Sequence, residues 1–205
     1  MHISEAPNRL GYFDPAESQP YRQLSWSNVD TPQAQQLAYT AAVEGIVLLK
    51  NDGTLPLSKH IKKIALIGPW VNATTLMQGN YFGVAPYLIS PLLGAQQAGF
   101  DVDYVPGVDV TSNDTSGFAA AVQAAEGADA IIFAGGLDES VEREGLDRLN
   151  VTWPGVQLEL VAELGKVGKP LVVAQFGGGQ LDDTVLKDSR AVRPLLSHSS
   201  MKFHG

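Results

Sequence analysis

Between Gly135 and Gly155 the chain reads GGLDESVEREGLDRLNVTWPG, which places five carboxylates and two arginines in one short stretch. That stretch directly follows the apolar run Ala130–Ala134. It should therefore leave the C-terminal end of a buried strand, which is where open α/β sheets place their chemistry. Asp138, Glu139, Glu142, Glu144 and Asp147 are all candidates for general acid or base work. Sugar hydrolysis needs one carboxyl to protonate the leaving oxygen and a second as nucleophile or base, about 5 Å apart for retention. A solvated acidic surface loop accounts for the same residues on charge alone.

Other chemistries find less support. The triple glycine Gly177–Gly179 follows a strand but lacks the lysine and hydroxyl of a P-loop, and neither it nor Gly135-Gly136 fits the G-x-G-x-x-G pattern. A nucleotide-binding α/β protein is thus the weakest of the readings. The glycines are better explained by tight turns or close backbone approach. His2, His60, His198 and His204 show no metal-ligand spacing, and residues 138–147 do not match an EF-hand loop. No G-x-S-x-G nucleophile elbow is present.

The elements that would position the acidic stretch follow from periodicity and punctuation. Residues 1–30 are rich in proline, aromatic and polar side chains, and read as a connector whose Tyr12, Phe13, Tyr21 and Trp26 want an apolar cover. Thr31-Pro32 starts a helix to about Glu44, expected to bury Leu37, Ala38 and Ala41. Ile46–Leu49 is a short strand, and Ile64–Ile67 is apolar on both faces and so central and parallel. Ser90-Pro91 opens a helix stopped by Gly99, Val102–Val105 alternates as a strand, and Ser116 caps a helix with an apolar stripe from Phe118 to Ala125. A helix follows the acidic loop along Val156, Leu160 and Leu164, and Leu171–Ala174 is a further strand. Strands alternating with helices predict a layered α/β sandwich with a mostly parallel sheet. Two connections, Pro69–Ile89 and Gly135 to about Trp153, exceed simple turns and should meet on one edge. A short polar helix fits Asp182–Arg190, but no pattern is evident in Leu195–Gly205, so the sheet is expected to be incomplete at its C-terminal end.

Composition narrows the partners. A net charge of −8 argues against nucleic acid, which requires a basic footprint. No apolar run reaches the 18–20 residues of a membrane span, and the first residues do not form a signal peptide. Without cysteine there is no disulfide framework or thiolate metal site. Asn72, Asn113 and Asn150 head N-x-T sequons and are possible N-glycosylation sites.

Several longer motifs, in order, carry a resemblance. Ala41–Leu57 (AAVEGIVLLKNDGTLPL) is similar to the opening of the second domain of glycoside hydrolase family 3. Ile64–Trp70 (IALIGPW), Met77–Gly83 (MQGNYFG), Glu144–Pro154 (EGLDRLNVTWP) and Gly168–Val172 (GKPLV) extend it and resemble the fungal β-xylosidase branch. Arg9–Trp26 resembles the linker leaving the first domain of such enzymes. The resemblance implies residues 1–30 as linker, 31–192 as the α/β sandwich domain and 193–205 as a divergent tail.

It also implies a retaining β-xylosidase that releases xylose from the non-reducing ends of xylo-oligosaccharides without metal or organic cofactor. In that family the nucleophilic aspartate belongs to a barrel domain, missing from this chain, and a second-domain loop brings the acid/base glutamate across the boundary. By its spacing to Gly145 that glutamate is expected to be Glu142, with Glu144 next and Glu139 third. Gln78, Asn80 and Tyr81 are expected in the same cleft. An acid needs a carboxyl that keeps its proton through burial or nearby negative charge. Arg143 and Arg148 are therefore expected to orient Asp147 or Glu144 rather than pair with Glu142. The relatives are secreted glycoproteins, and the isolated chain is expected to be inactive. A non-catalytic carbohydrate-binding or interaction module is the alternative.

Overall fold

The computed structural model describes residues 5–79 and 82–199. The chain divides into two compact units, Met1–Val43 and Glu44–Gly205.

The first unit begins with α1 (Glu5–Arg9), continues through 3-10 turns, and ends in α2 (Pro32–Glu44), which reaches the boundary between the units. Local polar bonds shape the irregular part. Ser25 and Asn28 form a reciprocal capping box around Trp26–Asn28, and the Gln19 amide donates to the Gly11 carbonyl at 2.6 Å. Thr31 caps α2 as its sequence demands, accepting from the Ala34 amide at 3.2 Å. The expected apolar face does not form a core within this unit. No α2 residue is buried, and Leu37 is 70% exposed.

The second unit contains β1 (Ile46–Lys50), β2 (Lys63–Ile67), α3 (Pro91–Gln97), β3 (Asp101–Val105), α4 (Phe118–Glu126), β4 (Ala130–Gly136), α5 (Gln157–Lys166), β5 (Leu171–Gly177), α6 (Thr184–Asp188) and β6 (Val192–Ser199). Among the described residues these strands make one open sheet in the order β1-β6-β5-β4-β2-β3, with only β1 antiparallel to its neighbour. Side-chain alternation splits the core between two faces. Ala65, Ile67, Ile131, Phe133, Leu171 and Val173 pack with the buried residues of α4 and α5. Leu66, Ile132 and Ala134 face the other way, towards Trp70, Val71 and Leu92 of α3. The fold is thus a layered α/β sandwich with a mostly parallel sheet.

Two expectations change here. The stretch after Val192 is not patternless, because residues 192–199 form β6, inside the sheet between β5 and β1. Pro194 in this strand has no N–H to give to a ladder. The pairing jumps from Leu171↔Val192 to Val173↔Leu195, so a bulge absorbs Arg193 and Pro194. Ser116 does not cap α4 either. Its hydroxyl donates to the Asp114 carboxylate at 2.8 Å, and Gly117 occupies the cap position. The helix starts one residue later than expected, so Gly117 takes the cap position and the Ser116 hydroxyl makes a local bond to the Asp114 carboxylate instead.

Two glycines set the exits from the central strands. Gly68 (φ +122°) and Gly136 (φ +131°) adopt conformations closed to most side chains. A Cβ on Gly68 would strike the Ala134 carbonyl, and one on Gly136 the Phe176 carbonyl. These close approaches let the chains after β2 and β4 leave side by side at the C-terminal edge of the sheet.

Candidate functional site

At that edge lies a cavity of about 230 Å³. Its walls come from the chain after β2 (Trp70, Leu76–Gly79), the acidic loop after β4 (Leu137, Asp138, Glu139, Glu142, Arg143, Asp147) and the turn after β5 (Gly178, Gly179). The two long connections therefore meet as their placement predicts, and the triple-glycine turn joins them.

One wall residue, Trp70, belongs to a column of rings. Trp70, 2% exposed, stacks on Phe176 with centroids 5.3 Å apart, and Phe176 meets His198 edge-on at 6.0 Å. Trp70 Nε1 is buried without a hydrogen-bond partner. Burial holds His198 below the usual histidine range, and its Nδ1 is likewise buried without a partner.

The acidic loop folds on itself through local bonds. Asp138 accepts from the Ser140 amide with its side chain at 2.9 Å, and from the amides of Val141 and Glu142 with its carbonyl. The chain then reverses about Glu144-Gly145, where Arg143 and Leu146 exchange backbone bonds of 3.0 and 2.9 Å. That reversal brings residues 142 and 148 face to face. Arg148 Nε stands 2.7 Å from Glu142 Oε2, close enough to pair although its N–H is not aimed along that line. Arg143 Nη1 donates to the Glu139 carbonyl at 2.7 Å. The expectation that both arginines avoid Glu142 is thus corrected for Arg148, because loop closure, not sequence spacing, selects the partner. Glu139 Oε1 and Arg148 Nη1 are buried without hydrogen-bond partners. Gly179 backs this pair. A Cβ there would lie 2.6 Å from Glu142 Oε2 and 2.8 Å from Arg148 Nη2.

Both roots of the loop are clamped by side chains that sequence reasoning did not single out. At the first root, the fully buried Gln157 accepts from the Gly136 amide at 2.9 Å. It donates to the carbonyls of Gly136 (2.9 Å), Val110 (3.0 Å) and Pro154 (3.3 Å). At the second root, Trp153 Nε1 donates to Asp183 Oδ1 at 3.0 Å. The hydrogen-bond network orients the Gln175 amide nitrogen to Asp183 as well, at 2.8 and 3.1 Å. Burial pushes the Asp183 carboxyl above the usual range, while the Trp153 bond opposes that shift. The available signal was a glutamine beside the apolar stripe of α5, a position where a polar group must be satisfied.

The other expected residues are distributed as follows. Glu139, Glu142 and Gln78 line the cavity, whereas Glu144 sits at the exposed tip of the loop. Asn80 and Tyr81 lie outside the described residues. Asn72, Asn113 and Asn150 are all exposed. Among the described residues no group of three or more His, Asp or Glu side chains could hold a metal ion. No described helix is long and apolar enough to cross a membrane.

The site is thus a set of carboxylates gathered over the C-terminal ends of the strands of a mostly parallel α/β sandwich. The glycosyl hydrolase family 3 C-terminal domain model matches residues 46–197, and the chain belongs to that family. It is 59% identical over 188 residues to the exo-1,4-beta-xylosidase xlnD of Emericella nidulans, covering 92% of this chain and 23% of that protein. It is 56% identical to a probable exo-1,4-beta-xylosidase bxlB of Aspergillus terreus, covering 92% of this chain and 24% of that protein.

Among solved structures, a GH3 exo-beta-xylosidase (XlnD) in complex with a xylobiose aziridine activity-based probe superposes with a TM-score of 0.90 at 56% identity. That match covers 95% of this chain and 25% of the other. A beta-glucosidase from Listeria innocua in complex with glucose gives 0.80 at 28% identity, covering 94% and 26%. The chain thus spans about a quarter of the length of the curated relatives it matches.

Proposed function

We propose that this chain is the α/β sandwich domain of a retaining β-xylosidase acting on xylo-oligosaccharides, and that its acidic loop supplies the general acid/base. The observation that carries the reading is the position of Glu142. It sits on the cavity wall, on a loop leaving the C-terminal end of a central strand and clamped at both roots. In this reading the carboxyl protonates the glycosidic oxygen as the bond to xylose breaks, then takes a proton from the water that releases the sugar. The nucleophilic carboxylate comes from a part of such an enzyme outside these 205 residues. Asp138, Glu139 and Asp147 surround Glu142 with acceptors for sugar hydroxyls, and Trp70 supplies an apolar wall. Secretion belongs to the same reading, supported by the exposure of Asn72, Asn113 and Asn150.

One observation favours Glu144 instead. The ion pair with Arg148 commits a Glu142 oxygen that a proton donor would need, whereas Glu144 stands at the exposed loop tip. Single Gln substitutions decide between them in a family 3 xylosidase carrying this domain. The acid/base variant should slow poor leaving groups by about 10²–10⁴, slow the glycosylation step less for activated aryl xylosides, and regain turnover of the accumulated glycosyl-enzyme with azide, which needs no general base. If none of Glu142→Gln, Glu144→Gln and Glu139→Gln behaves this way, the loop is not the acid/base loop. The 205-residue chain alone should not turn over aryl xylosides, since one carboxyl cannot complete both steps.

A further inference from the structure

The acidic loop is rooted in two different ways. Its N-terminal root at Gly136 is held by the neutral amide of Gln157, deep in the core. At its C-terminal root the Trp153 indole is held by a carboxylate, Asp183, which is only partly buried and sits on the segment between β5 and α6.

We infer that Asp183 is a positioning residue for the acidic loop. It ties Trp153 at the loop's C-terminal root to Gln175 near the end of β5, and so sets where Glu142 and its neighbours stand over the cavity. Trp153 and Gln175 are both 6% exposed, so their polar hydrogens need an acceptor inside the protein. Asp183 is that acceptor for both. The same segment is stitched to the loop's end a second time, where the Asp182 amide donates to the Val151 carbonyl at 2.7 Å. Gly178 and Gly179, upstream on this segment, form one cavity wall. Loop and glycine turn are therefore registered to each other through Asp183, and the Glu142–Arg148 pair rests against Gly179 as a result. Gln175 also neighbours Gly135 in the sheet, so the bond reaches back to the strand from which the loop departs.

The carboxylate has few charges around it. Asp182, beside it in sequence, and Lys187 of α6 are the charged groups that act on it, and they act in opposite directions. Trp153 and Gln175 face it as neutral donors. Its bonds to them are charge-assisted, the kind whose loss is felt most. Protonation would weaken both at once, so the latch should loosen in acid.

The importance of this latch for catalysis rests on the acid/base reading above, but its test does not. The ¹⁵N-labelled 205-residue chain is compared with Asp183→Ala and Asp183→Asn, and Trp153→Phe identifies the indole signal. In the parent, the Trp153 indole N–H should shift with pH at a midpoint above the ordinary aspartate value. In Asp183→Asn that shift should vanish. The loop amides of Glu142, Arg143 and Leu146 should exchange with solvent about tenfold faster in Asp183→Ala, the scale of one lost charge-assisted bond. Asp183→Asn, which keeps an acceptor for the indole, should recover part of that protection. Core amides of Ile131 and Val173 should stay protected in both variants, which separates loosening from unfolding. If Asp183→Ala leaves the loop amides as slow as in the parent, or loosens loop and core alike, the latch does not exist. Hydrolysis assays that fail for Glu142, Glu144 and Glu139 would sink the acid/base reading and leave this result standing.

Discussion

Replacing Gln157 with leucine should damage this domain far more than an amide-to-alkyl change at the surface. The side chain is fully buried and serves three buried backbone groups: the Gly136 N–H, the Gly136 carbonyl and the Val110 carbonyl. Each group left without a partner costs about 1–3 kcal/mol. Leucine fills most of the same space and recovers about 1–2 kcal/mol of transfer free energy. Together the three cost about 3–9 kcal/mol, so the net loss is about 1–8 kcal/mol, a large share of the roughly 5–15 kcal/mol that holds an ordinary domain. Urea unfolding followed by far-UV circular dichroism measures it as a lower midpoint at unchanged slope. Exchange of the Gly136 and Leu137 amides reports whether the loop root opens first. Gln157→Glu sharpens the test. One oxygen can still accept from Gly136, but the other must face two carbonyls, so this variant should be destabilised at neutral pH. It should recover in acid, where the protonated carboxyl can donate again. A Gln157→Leu protein within about 1 kcal/mol of the parent, or a Glu variant with no acid recovery, would refute the clamp.

Gly136→Ala should abolish stable folding or lower stability by at least about 3 kcal/mol, because it combines a disallowed conformation with a clash on the Phe176 carbonyl. Thermal unfolding checks this against Gly145→Ala, whose φ of +75° is strained but whose Cβ meets nothing within 4 Å, and which should cost only about 1–2 kcal/mol. Gly179→Ala should change stability by less than about 1 kcal/mol, since its new methyl meets only the ends of two flexible side chains. It should nonetheless open the Glu142–Arg148 pair, visible as a shifted Arg148 Nε–H resonance.

His198 supplies a pH dependence. Its folded-state pKa lies below the ordinary 6.5, so the unfolded chain binds the proton first and stability falls as pH drops below about that value. His198→Phe should flatten unfolding midpoints across that window. Equal slopes in parent and variant would show that His198 does not titrate differently in the fold.

How much of this was legible beforehand depends on where the information resides. Ile64–Ile67, Ala130–Ala134 and Leu171–Ala174 announce buried strands because each is apolar on both faces. Thr31-Pro32 and Ser90-Pro91 announce helix starts because their capping bonds are local. The acidic loop is legible as a candidate site because it is a dense charge cluster placed after a strand, and the motifs around it resemble one family. β6 is not legible, since Pro194 and the polar end of that strand contradict local strand propensity. It forms because β5 and β1 offer hydrogen-bonding edges on both sides and a bulge takes up the proline.

The same boundary divides the candidate site. Sequence by itself determined which residue types crowd the C-terminal edge of the sheet, because periods of two and 3.6 residues and short caps are properties of neighbours along the chain. Only the tertiary structure decided that Arg148 pairs with Glu142, that Gly179 backs the pair, and that Gln157 and Asp183 hold the loop's roots. Asp183 lies 30 residues from the Trp153 it binds, and Gln157 lies 47 from Val110. Such contacts follow from strand order and loop closure, which no local pattern encodes.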